Sequence, residues 1–279
     1  MRSIAIVVPC YNEEERLNPF AFHRFLADSP RCRLVFVNDG SRDATLDVLH
    51  RLQAACEPDR VEVVDLAVNG GKAEAVRQGM LHALETGADL IGFWDADLAT
   101  PLCAVDDFVR VMDRYSTIQI VVGARLPLLG HAVERNAKRG FLGKCFAAAA
   151  SLTLGIRLQD TQCGAKMFRR SSVLAAVLHR PFLSRWIFDV EMLARWRQLT
   201  PHGAGRLDEC LYERPLDNWT EIQGSRLKAS DFLKAPLELW GIYRDCRGMA
   251  SQSTVSIATQ SLANPHDVAD EDSGMRAAA

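Results

Sequence analysis

The chain has 279 residues, with 33 basic and 35 acidic side chains and a formal net charge of -2. That balance excludes a nucleic-acid binder that works by neutralising many phosphates, so an anionic ligand must be met by a few placed cations. Hydrophobic residues make up 48% and charged residues 24%, the mix of a globular chain with ample core.

Eight scattered cysteines without a CxxC pair argue against both a zinc knuckle and a disulfide framework. The opening apolar run is too short for a signal peptide, and no window reaches the ~18 unbroken apolar residues of a membrane span. The expectation is a cytoplasmic chain, peripheral to the cytoplasmic membrane face at most.

In chain order, Ile4–Pro9 reads as a buried parallel strand, and Asn12 is placed to cap the next helix with Glu15 as its capping-box partner. Leu34–Asn38 is a second strand, ending in the Asp39-Gly40-Ser41 turn and followed by a helix over 43–56. Val61–Leu66 is a third strand. Asn69-Gly70-Gly71 forms a loop before a helix over 72–86. Leu90–Trp94 is a fourth strand, broken by Asp95-Ala96-Asp97. A helix over 102–115 and a strand over 118–123 complete the alternation.

The second half is less regular. A helix is expected over 132–155, strands over 165–169 and 206–213, and helices over 171–178, 188–198 and 226–246. The whole reads as α/β, a doubly wound and mostly parallel sheet flanked by helices, with ligands at the carboxyl ends of the strands. One domain over 1–249 is expected, in a regular half over 1–125 and a less regular half over 126–249. The Ser- and Asp-rich stretch 250–279 reads as a disordered tail.

Polar residues gather after strands. Two carboxylates spaced i, i+2, Asp95 and Asp97, suit a Mg²⁺ or Mn²⁺ ion shared with a diphosphate, because hard cations prefer oxygen donors. A turn with solvated aspartates has the same pattern; the position after an apolar strand favours the metal. Arg135 and Arg139, four residues apart, can meet one phosphate, although a solvated basic face has the same spacing.

Val8-Pro9-Cys10-Tyr11-Asn12-Glu13, Val37-Asn38-Asp39-Gly40-Ser41 and Trp94-Asp95-Ala96-Asp97 together resemble family 2 glycosyltransferases of the GT-A fold. Asp160-Thr161-Gln162-Cys163-Gly164, Arg185-Trp186-Ile187-Phe188-Asp189-Val190-Glu191 and Trp219-Thr220-Glu221-Ile222-Gln223-Gly224-Ser225-Arg226 resemble the dolichyl-phosphate β-glucosyltransferase branch, related to dolichol-phosphate mannose synthase.

The resemblance implies that Pro9, Tyr11, Glu13 and Asp39 hold the base and ribose. It implies that Lys72 and Arg77 lie in a segment closing over the nucleotide, and that Asp95 and Asp97 face the diphosphate. Arg125, Arg135 and Arg139 would grip an acceptor phosphate. Asp160, Gln162, Asp189 and Glu191 would lie near the reacting sugar, and Arg226 near the donor phosphates.

The implied activity is inverting, metal-dependent transfer of a hexose to a polyprenyl or dolichyl phosphate. UDP-glucose is the first donor, with GDP-mannose and UDP-N-acetylglucosamine open. A soluble phosphate or hydroxyl acceptor is the rival, since 145–151 is rich in alanine and offers little apolar area to a bilayer. A hydroxyl acceptor would need a base, for which Asp160, Asp189 and Glu191 are candidates. A non-catalytic sugar-nucleotide sensor is the alternative of another class. The Gly-rich loops of nucleotidyltransferases and dehydrogenases are absent after the first strand.

Overall fold

The computed structural model describes residues 2–134, 137–200, 206–220, 222 and 235–246, with the side chains of 134 and 137–145 outside the description. Seven strands form one sheet in the order β3-β2-β1-β4-β7-β5-β8. These are β1 (Ile4–Cys10), β2 (Cys32–Asp39), β3 (Val61–Leu66), β4 (Leu90–Trp94), β5 (Ile120–Ala124), β7 (Ala165–Arg169) and β8 (Leu211–Pro215). All run parallel except β7, which pairs antiparallel with both β4 and β5. A separate pair joins β6 (Ala132–Glu134) to β9 (Asn218–Thr220).

The strands are continuous apolar runs because both faces are covered. Ile4, Ile6 and Val8 face a core shared with α1 (Pro19–Asp28), α2 (Thr45–Ala54) and α4 (Ala104–Arg114). Ala5 and Val7 face the other core, with α3 (Lys72–Glu85), α5 (Ala137–Leu154), α6 (Ser172–His179) and α7 (Phe188–Leu199). The alanine-rich stretch of α5 has its explanation here. Phe146, Ala150 and Leu154 are buried in that core and Ala147 is buried beside them in the helix, while Leu152 is exposed.

Several expected boundaries move. Asn12 does not cap a helix: it sits at φ 48, and its Oδ1 accepts from the Arg42 N–H at 2.8 Å. The first helix starts at Pro19, with Asn18 Oδ1 accepting from Ala21 N–H at 3.1 Å. Proline at the first helical position, where its missing N–H costs nothing, makes Asn18-Pro19 the stronger start signal. The Asn12/Glu15 capping box is therefore corrected.

The expected strand 206–213 begins instead as a one-turn helix, α8 (Leu207–Cys210), before β8. The expected helix 132–155 is split into β6 and α5. Residues 235–246 are helical. Residues 226–234 and the expected tail 250–279 lie outside the described residues.

Candidate active site

The carboxyl ends of β1, β2 and β4 deliver three loops to one edge of the sheet. The first two are stitched together. Ser41 Oγ accepts from Asn12 N–H at 2.9 Å, and Thr45 Oγ1 accepts from Glu13 N–H at 2.7 Å. Pro9 lies within β1 opposite Val37, and Tyr11 is half-buried just beyond the strand end.

Asp39 ends β2 and is buried. Its Oδ1 accepts from Gly70 N–H at 2.7 Å, and its Oδ2 from Gly71 N–H at 2.8 Å and Asn69 Nδ2 at 2.9 Å. Burial raises its pKa against those donors. Asp39 thus moulds the loop that launches α3. Arg185 grips the same loop from the far half of the chain. Its Nε donates to the Gly70 carbonyl at 3.1 Å and its guanidinium to Asn69 Oδ1 at 2.5 Å. Gly71 has φ +89, and a Cβ there would meet Arg185 Nε at 2.5 Å, so two constraints demand glycine.

This loop places Lys72 at the start of α3, where its Nζ pairs with Asp95 Oδ1 at 2.5 Å. Burial acts to lower the Lys72 pKa, but Asp95 and Asp189 outweigh it and the pKa is raised. Asp95 is held from below: its N–H donates to the Gly164 carbonyl at 3.1 Å. Asp97 Oδ1 accepts from Ala99 N–H at 3.0 Å, and Arg16 lies 3.7 Å from Oδ2. Arg16 also lies 3.5 Å from Glu13 Oε2, linking the β1 and β4 loops.

Burial and the neighbouring Asp95 push the Asp97 pKa up. Two adjacent carboxylates of this kind form an oxygen donor pair that suits Mg²⁺ or Mn²⁺. Among the described residues, no group of three His, Cys, Asp or Glu is placed to hold a metal without help from a ligand.

Next to this cluster, Arg125 and Asp160 form a two-pronged pair. Nε donates to Oδ2 at 2.6 Å and an Nη to Oδ1 at 2.8 Å. The Arg125 guanidinium lies 5.3 Å from the centre of the Trp219 ring. Burial acts to lower the Arg125 pKa, but Asp160 overrides it and raises it. Asp160 Oδ1 also accepts from Gln162 N–H at 3.1 Å. Glu213 accepts from the N–H groups of Gln159 and Asp160, at 2.8 and 3.1 Å.

Asp189 is buried against Lys166, whose Nζ donates to Oδ1 at 2.6 Å and to the Cys163 carbonyl at 2.7 Å. Burial raises the Asp189 pKa against that cation. The Asp160–Gly164 segment therefore touches Arg125, Asp95 and Lys166 at once.

Two expected site residues serve the scaffold. Arg77 is buried, pairs with Glu74 at 2.7 Å and donates to the Leu178 carbonyl at 3.0 Å, fastening α3 to α6. Glu191 is 1% exposed and is held by Arg195 at 2.6 Å and by Leu183 N–H at 2.9 Å. Arg135 and Arg226 lie outside the described residues, as does the side chain of Arg139.

Sequence reasoning assigned no role to Arg16, Asn69, Lys166, Arg185 or Glu213. Lys166 had a signal: a lysine inside the apolar strand Ala165-Lys166-Met167-Phe168 demands a buried anion.

The family model for glycosyl transferase family 2 matches residues 5–175. The chain belongs to glycosyltransferase family 2. It is a glycosyltransferase, and the loops above are the edge of its GT-A sheet. Its sequence is 33% identical over 240 residues to a dolichyl-phosphate beta-glucosyltransferase of Drosophila melanogaster, covering 80% of this chain and 69% of that one. A human enzyme of the same description is 30% identical, covering 81% and 70%.

The family 2 fold also matches glucosyl-3-phosphoglycerate synthase from Mycobacterium tuberculosis, solved in complex with Mn²⁺, uridine-diphosphate and glucosyl-3-phosphoglycerate. The TM-score is 0.62 at 19% identity, covering 88% of this chain and 80% of that one. Among the described residues, no helix of the glycosyltransferase is long and apolar enough to cross a membrane.

Proposed function

We propose that this glycosyltransferase moves glucose from UDP-glucose to a polyprenyl phosphate such as dolichyl phosphate, with inversion, while peripheral to the cytoplasmic face of a membrane. The glucosyl group and the dolichyl-phosphate acceptor follow the dolichyl-phosphate beta-glucosyltransferases it resembles, and UDP-glucose follows a solved neighbour of the same fold that holds it. One observation carries the choice of a phosphorylated acceptor over a hydroxyl. All three carboxylates that could serve as a base, Asp160, Asp189 and Glu191, are buried and held by a cation: Arg125, Lys166 and Arg195. A phosphate monoester is largely ionised near neutral pH and needs no such base.

In this reading Pro9, Tyr11, Glu13 and the Asp39-moulded loop receive the nucleoside. Lys72 neutralises the departing diphosphate, Arg125 faces the acceptor, and Gln162 lies near the reacting sugar. Asp95 and Asp97 would hold a divalent cation completed by the donor phosphates, and the ion would stabilise the leaving group. Arg135 and Arg139 would add cations for the acceptor, and Arg226 for the donor.

The second reading is a soluble phosphorylated acceptor. A solved structure of the phosphoglycerate-glucosylating neighbour holds Mn²⁺, UDP-glucose and phosphoglyceric acid on the same fold.

The deciding experiment offers radiolabelled UDP-glucose or GDP-mannose, with Mn²⁺, to a polyprenyl phosphate in detergent and to 3-phosphoglycerate. Label in the lipid phase from UDP-glucose is expected. Label from GDP-mannose alone would overturn the donor, and label in the soluble acceptor alone would overturn the lipid.

A further inference from the structure

Lys72 is placed where it cannot stay once a metal arrives. Its Nζ lies 2.5 Å from Asp95 Oδ1, within the first shell of any cation on that oxygen. Asp95 has the shorter reach of the two: its N–H is tied to the Gly164 carbonyl, which fixes its backbone, and its carboxylate lies against Gly164 on one side. Asp97 is anchored through Ala99 N–H, and Asp189 already holds Lys166. Lys72 is the movable member. Its side chain is 39% exposed, sits on the first turn of α3 and has four rotatable carbons.

The local charges also call for an exchange. Glu13, Asp95, Asp97 and Asp189 are met by Lys72, Lys166 and Arg16, so the cluster is one negative charge from balance with Lys72 in place. A dication added to that cluster, with Lys72 still in place, would face a cation at contact distance. A dication arriving with the donor diphosphate brings anionic oxygens with it, and these offer Lys72 a new partner one step away.

We infer that Lys72 is a resident counter-ion that holds the Asp95 oxygen in the ligand-free enzyme, yields it to the divalent cation, and moves to the donor diphosphate. This rests on the metal assignment to Asp95 and Asp97 proposed above and adds to it an ordered dependence. The metal binds weakly until the nucleotide supplies a place for Lys72 to go. An empty site is thereby kept from collecting metal without substrate.

The test is Mn²⁺ titration of the full chain followed by electron paramagnetic resonance, with and without UDP. It compares the wild type with Lys72→Met, Lys72→Arg and Asp97→Asn. Without UDP, Lys72→Met is expected to bind Mn²⁺ about twofold to fivefold tighter than wild type, as suits loss of a partly exposed competing charge. Lys72→Arg, which keeps the cation, stays near wild type. With Mn²⁺ present, Lys72→Met binds UDP more weakly.

Mn²⁺ binding to Lys72→Met no tighter than to wild type overturns the exchange, including a case in which neither binds without UDP. Asp97→Asn separates the two ideas. If it loses Mn²⁺ while Lys72→Met gains none, the metal site stands and the exchange alone fails. If it keeps wild-type Mn²⁺ affinity with UDP present, the metal assignment itself fails.

Discussion

Gly164 lies directly beneath the Asp95 carboxylate. The Asp95 N–H donates to the Gly164 carbonyl at 3.1 Å, and a Cβ on residue 164 would overlap the carboxylate. Gly164→Ala must therefore push Asp95 off its position. A displacement near 1 Å at a reacting centre costs on the order of 100-fold in rate. We expect a loss of that size in kcat/KM, with a circular-dichroism spectrum like that of wild type. Wild-type kcat/KM in the folded variant would show that Asp95 is not needed where it stands.

Arg125 and Asp160 predict a coupled pair. Asp160 is buried and Arg125 partly so, and removing Arg125 leaves the buried carboxylate uncompensated, at a cost of about 3 kcal/mol. Arg125→Met and Asp160→Leu should each lower the denaturation midpoint, and the double variant should lose less than the sum. A double-mutant cycle by urea unfolding measures this, and additive losses would contradict the pairing.

Glu191 separates scaffold from chemistry. Its oxygens serve Arg195, Leu183 and Ser184. Glu191→Gln should destabilise the protein by about 3–5 kcal/mol while leaving the KM for the donor unchanged at a temperature where it is folded. A raised KM or an altered pH–rate profile with full stability would return Glu191 to the reacting centre.

Asp97 gives a pH prediction. Burial and Asp95 raise its folded-state pKa, so the folded protein binds this proton more tightly than the unfolded chain. The stabilising contribution is full below the ordinary carboxylate range and is lost as pH rises through the folded-state value. Without divalent metal, Asp97→Asn should melt higher than wild type at neutral pH, and the gap should close on acidification. Thermal melts across pH 4–8 check the sign. A gap that widens toward acid would refute it.

Arg185 acts at a distance from the chemistry. Arg185→Ala frees the Asn69-Gly70-Gly71 loop and with it the start of α3. We expect the KM for the nucleotide-sugar to rise several-fold with a smaller change in kcat, read from steady-state kinetics. A fall in kcat alone would assign Arg185 a different role.

These pairs also mark what could be read from the chain. The sheet strands β1 to β5 were legible because parallel strands covered on both faces are unbroken apolar runs, and Asp95-Ala96-Asp97 stood out against one. The Asn12 cap failed because a local signal was outcompeted by Asn18-Pro19 six residues later. The one-turn helix at Leu207–Cys210 is too short to show a period.

The partners of the charged residues were not legible. Arg125 meets Asp160 across 35 positions, and Arg185 meets Asn69 across 116. Such pairings depend on which strands become neighbours, and no local pattern encodes that. Arg77 and Glu191 likewise take partners that no local pattern shows: Arg77 the Leu178 carbonyl across 101 positions, and Glu191 the Leu183 N–H.

The reversed direction of β7 has a consequence for how this chain can diverge. β5 ends at Ala124 and β7 starts at Ala165, so everything between leaves and re-enters the sheet at the same edge. That stretch is a cassette hung on two fixed pegs. Its exposed parts can be exchanged without disturbing strand order, provided α5 still fills the core with Phe146, Ala150 and Leu154 and the returning Asp160–Gly164 turn still docks on Arg125 and Asp95. A family built this way can keep one means of holding a nucleotide-sugar while trying new acceptors.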